Sequence, residues 1–272
     1  MLELPSGRMR VRLHGAPDEP LAIGVPGLSA NAFSFEALGS HLALQSRTLA
    51  AVDLRGRGRS PPGKPGSHGW ENHARDVLAV ADQLGAKRFD FVGHSMGAFV
   101  GLVLANLAPE RLRRLVLIDA IGVPDPRAMP PIFGAAQRLG AVHPSVGDFL
   151  ALVKAAGIVP WGDFWEAHYR EDLVPVPGGD GVRQRADRAA VLEDVTYAVM
   201  TPVRSLWAGV GVPALLVRAA IPLAPGGDVV TSRDLRDFVA TATRARALEI
   251  DANHYGLMNH PHTASAVEEF LR

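Results

Sequence analysis

The sequence predicts an α/β protein built on a mostly parallel sheet with helices on both faces. Three observations predict it. Apolar runs of strand length alternate with segments of helix length, one run stops abruptly at a serine held between two glycines, and one long stretch interrupts the alternation without any buried strand. At 272 residues the chain has room for one large domain or for a core with an insertion. Apolar residues make up 47%, and Lys plus Arg balances Asp plus Glu at 28 each. That balance provides no general attraction to nucleic acid or anionic lipid and favours a small-molecule substrate as partner. The absence of cysteine excludes disulfides, thiolate metal sites and a cysteine nucleophile. The start, Met1-Leu2-Glu3-Leu4-Pro5, has no basic segment followed by an apolar core, and no run of 18 apolar residues occurs, so a soluble, cytoplasmic protein is expected.

Taken in order, residues 8–13 alternate polar and apolar side chains at period two, as a half-exposed edge strand does. Leu21-Ala22-Ile23-Gly24-Val25 is apolar throughout, the pattern of a strand covered on both faces. The loop Pro26-Gly27-Leu28-Ser29-Ala30-Asn31 then leads to a helix burying Phe33, Phe35, Leu38 and Leu42, with Asn31 as its cap. Residues 48–53 form a second buried strand running into Leu54-Arg55-Gly56-Arg57-Gly58-Arg59-Ser60. This loop is glycine-rich but lacks the Lys-Ser/Thr ending of a phosphate cradle, so it reads as a structural turn fixed by Asp53. Helical spacing of Val77, Ala81 and Leu84 stops at Gly85. A strand at 88–92, a helix at 96–107 that is apolar nearly all round, and a buried strand at 112–118 closing on Asp119 follow.

Beyond residue 120 the pattern changes. Short amphipathic segments at 133–139, 146–156, 161–169 and 189–207 are broken by Pro124, Pro126, Pro130, Pro131, Pro160 and the 175–181 stretch. This predicts a helical lid over 121–208 inserted into a core domain made of 1–120 and 209–272. Trp161, Phe164, Trp165 and Tyr169 of the lid read either as substrate wall or as ordinary packing, and Tyr255 joins them as a pocket candidate. Arg183, Arg185 and Arg188 read as solvated helix surface or as a site for an anionic substrate. Strands at 212–218 and 245–250 and helices at 232–240 and 263–271 complete the core.

The chemistry centres on Gly93-His94-Ser95-Met96-Gly97. A serine on a tight strand-to-helix turn has its hydroxyl pushed clear of the backbone at the sheet edge, and small flanking residues let strand and helix approach closely. A free hydroxyl is not ionised near neutral pH, so such a serine needs a base.

In the order of these features the chain resembles the α/β-hydrolase superfamily over nearly its full length. The matching features are the 93–97 elbow, the 53–60 segment after the fourth strand, a lid after the sixth, and His254 on the loop after the eighth. The resemblance implies a mostly parallel eight-stranded sheet, Ser95 as nucleophile, His254 as base, the N–H groups of Leu28 and Met96 as oxyanion hole, and neither metal nor organic cofactor. Two departures stand out. Val25-Pro26-Gly27-Leu28 replaces the His-Gly found in many members, which matters little where backbone N–H groups do the work. More sharply, residues 218–225 hold no carboxylate where the usual acid sits. The acid is therefore expected at Asp119, ending the sixth strand, with Asp228 as alternative; Asp251 is too near His254 in the chain.

The reaction implied is hydrolysis of a carboxylic ester, lactone or related small acyl compound through an acyl-enzyme on Ser95. Amide or C–C hydrolysis, cofactor-independent dioxygenation and a non-catalytic ligand-binding role stay open. His260 and His262 lack an acidic or thiol partner and read as the lead-in to the final helix.

Overall fold

Each continuous apolar run divides its side chains between two cores, because successive residues of a strand point to opposite faces. In β6 (Phe89–His94), Phe89 and Phe91 join Ile23, Val25, Leu115 and Leu117 on one side, while Val92 joins Ala22, Val116 and Ile118 on the other. Burial of such side chains is worth about 1.5–3 kcal/mol each. The computed structural model describes residues 1–16 and 20–272.

The chain begins with β1 (Leu2–Leu4) and β2 (Gly7–Met9), then β3 (Val11–His14), β4 (Leu21–Val25), α1 (Glu36–Ala43) and β5 (Thr48–Val52). There follow α2 (Trp70–Gln83), β6, α3 (Met96–Leu107) and β7 (Leu112–Ile118). Between β7 and its sheet neighbour β10 (Ala214–Ala219) lie α4 (Met129–Gln137), α5 (Val146–Ala155), α6 (Asp163–Asp172), β8 (Leu173–Pro175), β9 (Val182–Gln184) and α7 (Arg188–Met200). The chain ends with α8 (Ser232–Thr241), β11 (Ala245–Ile250) and α9 (Pro261–Leu271).

The main sheet runs β11-β10-β7-β6-β4-β5-β3, parallel except for β3, which lies antiparallel to β5. Helices α2, α3 and α8 cover the Phe91 face, and α1 and α9 the Val92 face. From β4 the chain runs outward to β5 and returns through α2 to place β6 on the other side of β4. This reversal opens a crevice at the carboxyl ends of β4 and β6, where open α/β sheets hold ligands.

Among the described residues the sheet has seven strands, not the eight that the resemblance implies. The alternating stretch 8–13 is broken at Arg10, whose N–H donates to Ser60 Oγ at 2.9 Å. On the amino side, β2 folds back on β1, pairing Leu2 with Met9 and Leu4 with Gly7; only the carboxyl side reaches the sheet as β3. Leu4 and Met9 still bury against the Phe91 core.

Prolines shape the 121–208 segment differently from the sequence reading. Pro130 and Pro131 sit in the first turn of α4 rather than breaking it, since the first helical N–H groups need no intrahelical acceptor. Pro202 instead divides 189–207 into α7 and a 3-10 helix, Val203–Gly209. The Pro/Gly stretch near 176–181 turns a small hairpin, β8–β9, where no strand was anticipated.

Candidate active site

The elbow follows from close packing of strand on helix. A Cβ on Gly93 would meet Gly97 O at 2.2 Å, and one on Gly97 would meet Val25 O at 2.0 Å, so neither position admits a side chain. Ser95 between them adopts φ 54 and ψ −122, a left-handed backbone that other residues rarely take. Its N–H donates to Ile118 O at 2.9 Å, tying the turn to the end of β7. Gly27 lies against it, with room for a Cβ only 3.3 Å from Ser95 Cβ. Among the described residues, the N–H groups of Leu28 and Met96 donate to no protein acceptor.

Asp119 also has a positive φ, 49, held by its N–H bond to Val217 O at 2.8 Å. Its carboxylate is fully committed: Oδ1 accepts from Ala219 N at 3.0 Å and Oδ2 from His254 Nδ1 at 2.9 Å. Both side chains are buried. A carboxylate on Nδ1 fixes the imidazole tautomer and leaves Nε2 as the acceptor. His94 holds the same loop from below, its Nε2 donating to His254 O at 3.1 Å while the two rings lie 4.5 Å apart. Burial, and secondly the neighbouring His254, push the His94 pKa well below the ordinary histidine value, so its ring is neutral. Asp228 lies elsewhere, paired with Arg218 at 2.9 Å.

A cavity of about 90 Å³ is lined by Gly27, Leu28, Ser95, His254 and residues of α4 and α6. Ser95 and His254 share it without a hydrogen bond between them; in free enzymes such contacts are commonly long and tighten on substrate. Of the aromatic candidates, Trp165 and Tyr255 line the cavity. Phe164 packs instead on Phe33, 5.8 Å between centroids, and Trp161 stacks on Tyr169 at 6.3 Å. Neither Phe164 nor Trp161 reaches the cavity, and nor do Arg183, Arg185 or Arg188. Tyr169 does.

Several cavity residues escaped the sequence reading: Arg138 at the C-terminal cap of α4, His168 and Asp172 of α6, and Gln184 of β9. Burial pushes Asp172 up to about 7, against hydrogen bonds from Gln184 Nε2 at 3.0 Å and Asn31 Nδ2 at 3.5 Å. Burial likewise lowers His168 to about 4. The available signal was spacing: Trp165, His168 and Asp172 fall on one helical stripe, and all three are buried.

The 53–60 turn does more than close a loop. Asp53 accepts from Ala32 N at 2.7 Å and Arg59 N at 2.8 Å. Fully buried Arg57 donates through Nε to Leu28 O at 2.9 Å and pairs through its outer nitrogen with Asp194 of α7. Burial alone would raise Asp194, yet His73, Arg57 and Gly69 N–H hold it at about 2. Among the described residues no group of three His, Cys, Asp or Glu is arranged to hold a metal ion, and no helix is long and apolar enough to cross a membrane. His260 caps α9, its Nδ1 accepting from His262 N at 3.2 Å.

Residues 14–171 match the family model described as alpha/beta hydrolase fold. The chain belongs to the α/β-hydrolase family. It is 35% identical over 168 residues to a Stutzerimonas stutzeri protein named carbamate hydrolase RutD, covering 61% of each. It is 41% identical over 91 residues to a 2-hydroxymuconate semialdehyde hydrolase of Pseudomonas putida, covering 32% of this chain and 31% of that one. The chain thus spans less than two thirds of the length of these relatives. Among solved structures, E-2-(acetamidomethylene)succinate hydrolase superposes with a TM-score of 0.84 over 97% of this chain and 94% of that one, at 23% identity, a likeness of fold.

Proposed function

We propose that the protein is a serine hydrolase that cleaves a small carboxylic ester, lactone or related acyl compound through an acyl-enzyme on Ser95. The observation that carries this reading is the 2.9 Å contact of His254 Nδ1 with Asp119, in a cavity also lined by Ser95. Ser95 Oγ bonds to the substrate carbonyl carbon as its proton passes to His254 Nε2, and the oxyanion accepts from the N–H groups of Leu28 and Met96. The carbonyl then re-forms, the bond to the leaving group breaks, and His254 returns its proton to that group. Water repeats the sequence on the acyl-enzyme. Asp119 orients the ring and stabilises the imidazolium.

The size of the cavity favours short acyl groups. The relative named for a carbamate supports including amide-like acyl compounds beside esters and lactones, since the same groups serve both. A cofactor-independent dioxygenase would instead use His254 to take a substrate proton and consume oxygen. The test is labelling with a serine-directed fluorophosphonate, followed by a screen of short esters, lactones and amides with oxygen uptake monitored. Labelling of the wild type but not of Ser95→Ala, with hydrolysis and no oxygen uptake, is expected. An unlabelled Ser95 in folded protein would favour a binding role.

A further inference from the structure

Several buried or half-buried arginines of this chain are held by carboxylates: Arg55 by Asp76, Arg57 by Asp194, Arg47 and Arg113 by Asp90. Arg138 is different. It caps the C-terminal end of α4, is half-buried and lines the cavity of Ser95 and His254, yet among the described residues no carboxylate pairs with it and no acceptor bonds to it. The ionisable groups around it leave its charge uncompensated. Tyr169 and Tyr255 feel the guanidinium, but burial raises both phenols and keeps them neutral. His94 and His168 are kept neutral by burial. Asp172, on the same cavity, is bonded by Gln184 and Asn31 and feels Arg185. His254 is committed to Asp119.

A guanidinium withdrawn from water gains most from a planar oxyanion that accepts two of its parallel N–H groups. Next to it on α4, Ile132, Ala135 and Ala136 give the cavity an apolar wall suited to a short methylene chain. We propose that Arg138 binds a carboxylate carried on the acyl part of the substrate, so that the compound cleaved at Ser95 is a monoanion such as a monoester of a short dicarboxylic acid. This assignment of substrate class rests on the serine-hydrolase reading above.

Two measurements separate it from that reading. In the first, kcat/KM is compared for 4-nitrophenyl hydrogen glutarate and for uncharged 4-nitrophenyl butyrate. The wild type should favour the anionic ester, and Arg138→Gln should lower its kcat/KM about 30-fold more than that of the neutral ester, the effect of losing one charge-assisted contact. Arg138→Lys keeps the charge without the fork and should lie between the two; it also carries the test if Arg138→Gln fails to fold. In the second, glutarate binding to Ser95→Ala is measured by calorimetry, and should weaken about 30-fold when Arg138→Gln is added. A wild type with no anionic preference, a preference that survives in both Arg138 variants, or glutarate that binds Ser95→Ala weakly or independently of Arg138, would overturn the proposal while leaving hydrolysis at Ser95 intact. Arg138-dependent glutarate binding without cleavage of either ester would sustain the subsite and sink the hydrolase reading.

Discussion

Asp119 and Asp194 are both buried carboxylates facing a histidine, one at the end of a sheet strand and one inside the inserted segment. His254 Nδ1 meets Asp119 at 2.9 Å; His73 Nε2 lies 3.0 Å from each oxygen of Asp194. The pairs differ in what stands behind them. His254 lines a cavity shared with Ser95, whereas the second nitrogen of His73 is buried without a partner among the described residues. Asp119 answers one backbone N–H and one imidazole, while Asp194 answers Arg57, His73 and Gly69 N–H together. An Asp–His pair thus becomes a candidate for proton transfer only where the far nitrogen opens on a cavity beside a nucleophile; otherwise it is a strut between elements.

The largest effect should fall on the first pair. Asp119→Asn should lower turnover about 10³–10⁴-fold with the fold retained, because the imidazole loses its tautomer control. Asp228→Asn should change turnover by no more than about threefold, as expected for a half-buried pair that does not line the cavity. Equal losses in both variants would remove Asp119 from its role.

Next, Asp194→Ala should cost about 3–5 kcal/mol of stability by leaving the Arg57 guanidinium buried and unpaired. Urea unfolding measures it, and a loss under about 1 kcal/mol would show that the cluster is not a strut.

A smaller effect concerns Asp172. Its carboxyl titrates at about 7 in the folded chain against an ordinary 3.8, so the folded state keeps a proton that the unfolded chain releases. Stability should therefore fall as pH rises from about 4 to about 7 on this account. Asp172→Asn removes that slope, and its Tm relative to wild type should climb by a few degrees across the window. Parallel curves for the two proteins would refute it. The smallest effect belongs to Trp161→Ala, which removes a stack on Tyr169 outside the cavity. It should cost about 1 kcal/mol in stability, with turnover changed less than about threefold; a much larger loss of turnover would place Trp161 on the substrate's path.

The sheet edge was more legible in the sequence than the inserted segment, for a physical reason. Strands buried on both faces write continuous apolar runs, so β4, β5, β6, β7 and the residues at their ends could be located, including Ser95 and Asp119. The count of eight came from the family resemblance, while the strand-like runs read from the residues number seven; what the period-two pattern of 8–13 hid is the break at Arg10. In the inserted segment the walls come from side chains on short helices, and periodicity does not tell which face meets a cavity. Aromatic residues drew attention there, yet Trp161 and Phe164 turned to packing while Arg138, His168 and Asp172 supplied the polar lining. A histidine and an aspartate on the same stripe as a tryptophan in α6 were the overlooked sign.

Arg57 has one end on Asp194 of α7 and the other on the carbonyl of Leu28. The inserted segment is therefore not an exchangeable module. Grafting a different insertion between β7 and β10 to alter selectivity would strand this guanidinium and release the loop that carries the Leu28 N–H. New selectivity is reached more safely by point changes on α4 and α6, with α7 left as it is. If the proposed function holds, the segment that walls the cavity and the loop that carries the Leu28 N–H share one fastening, and redesign has to work around it.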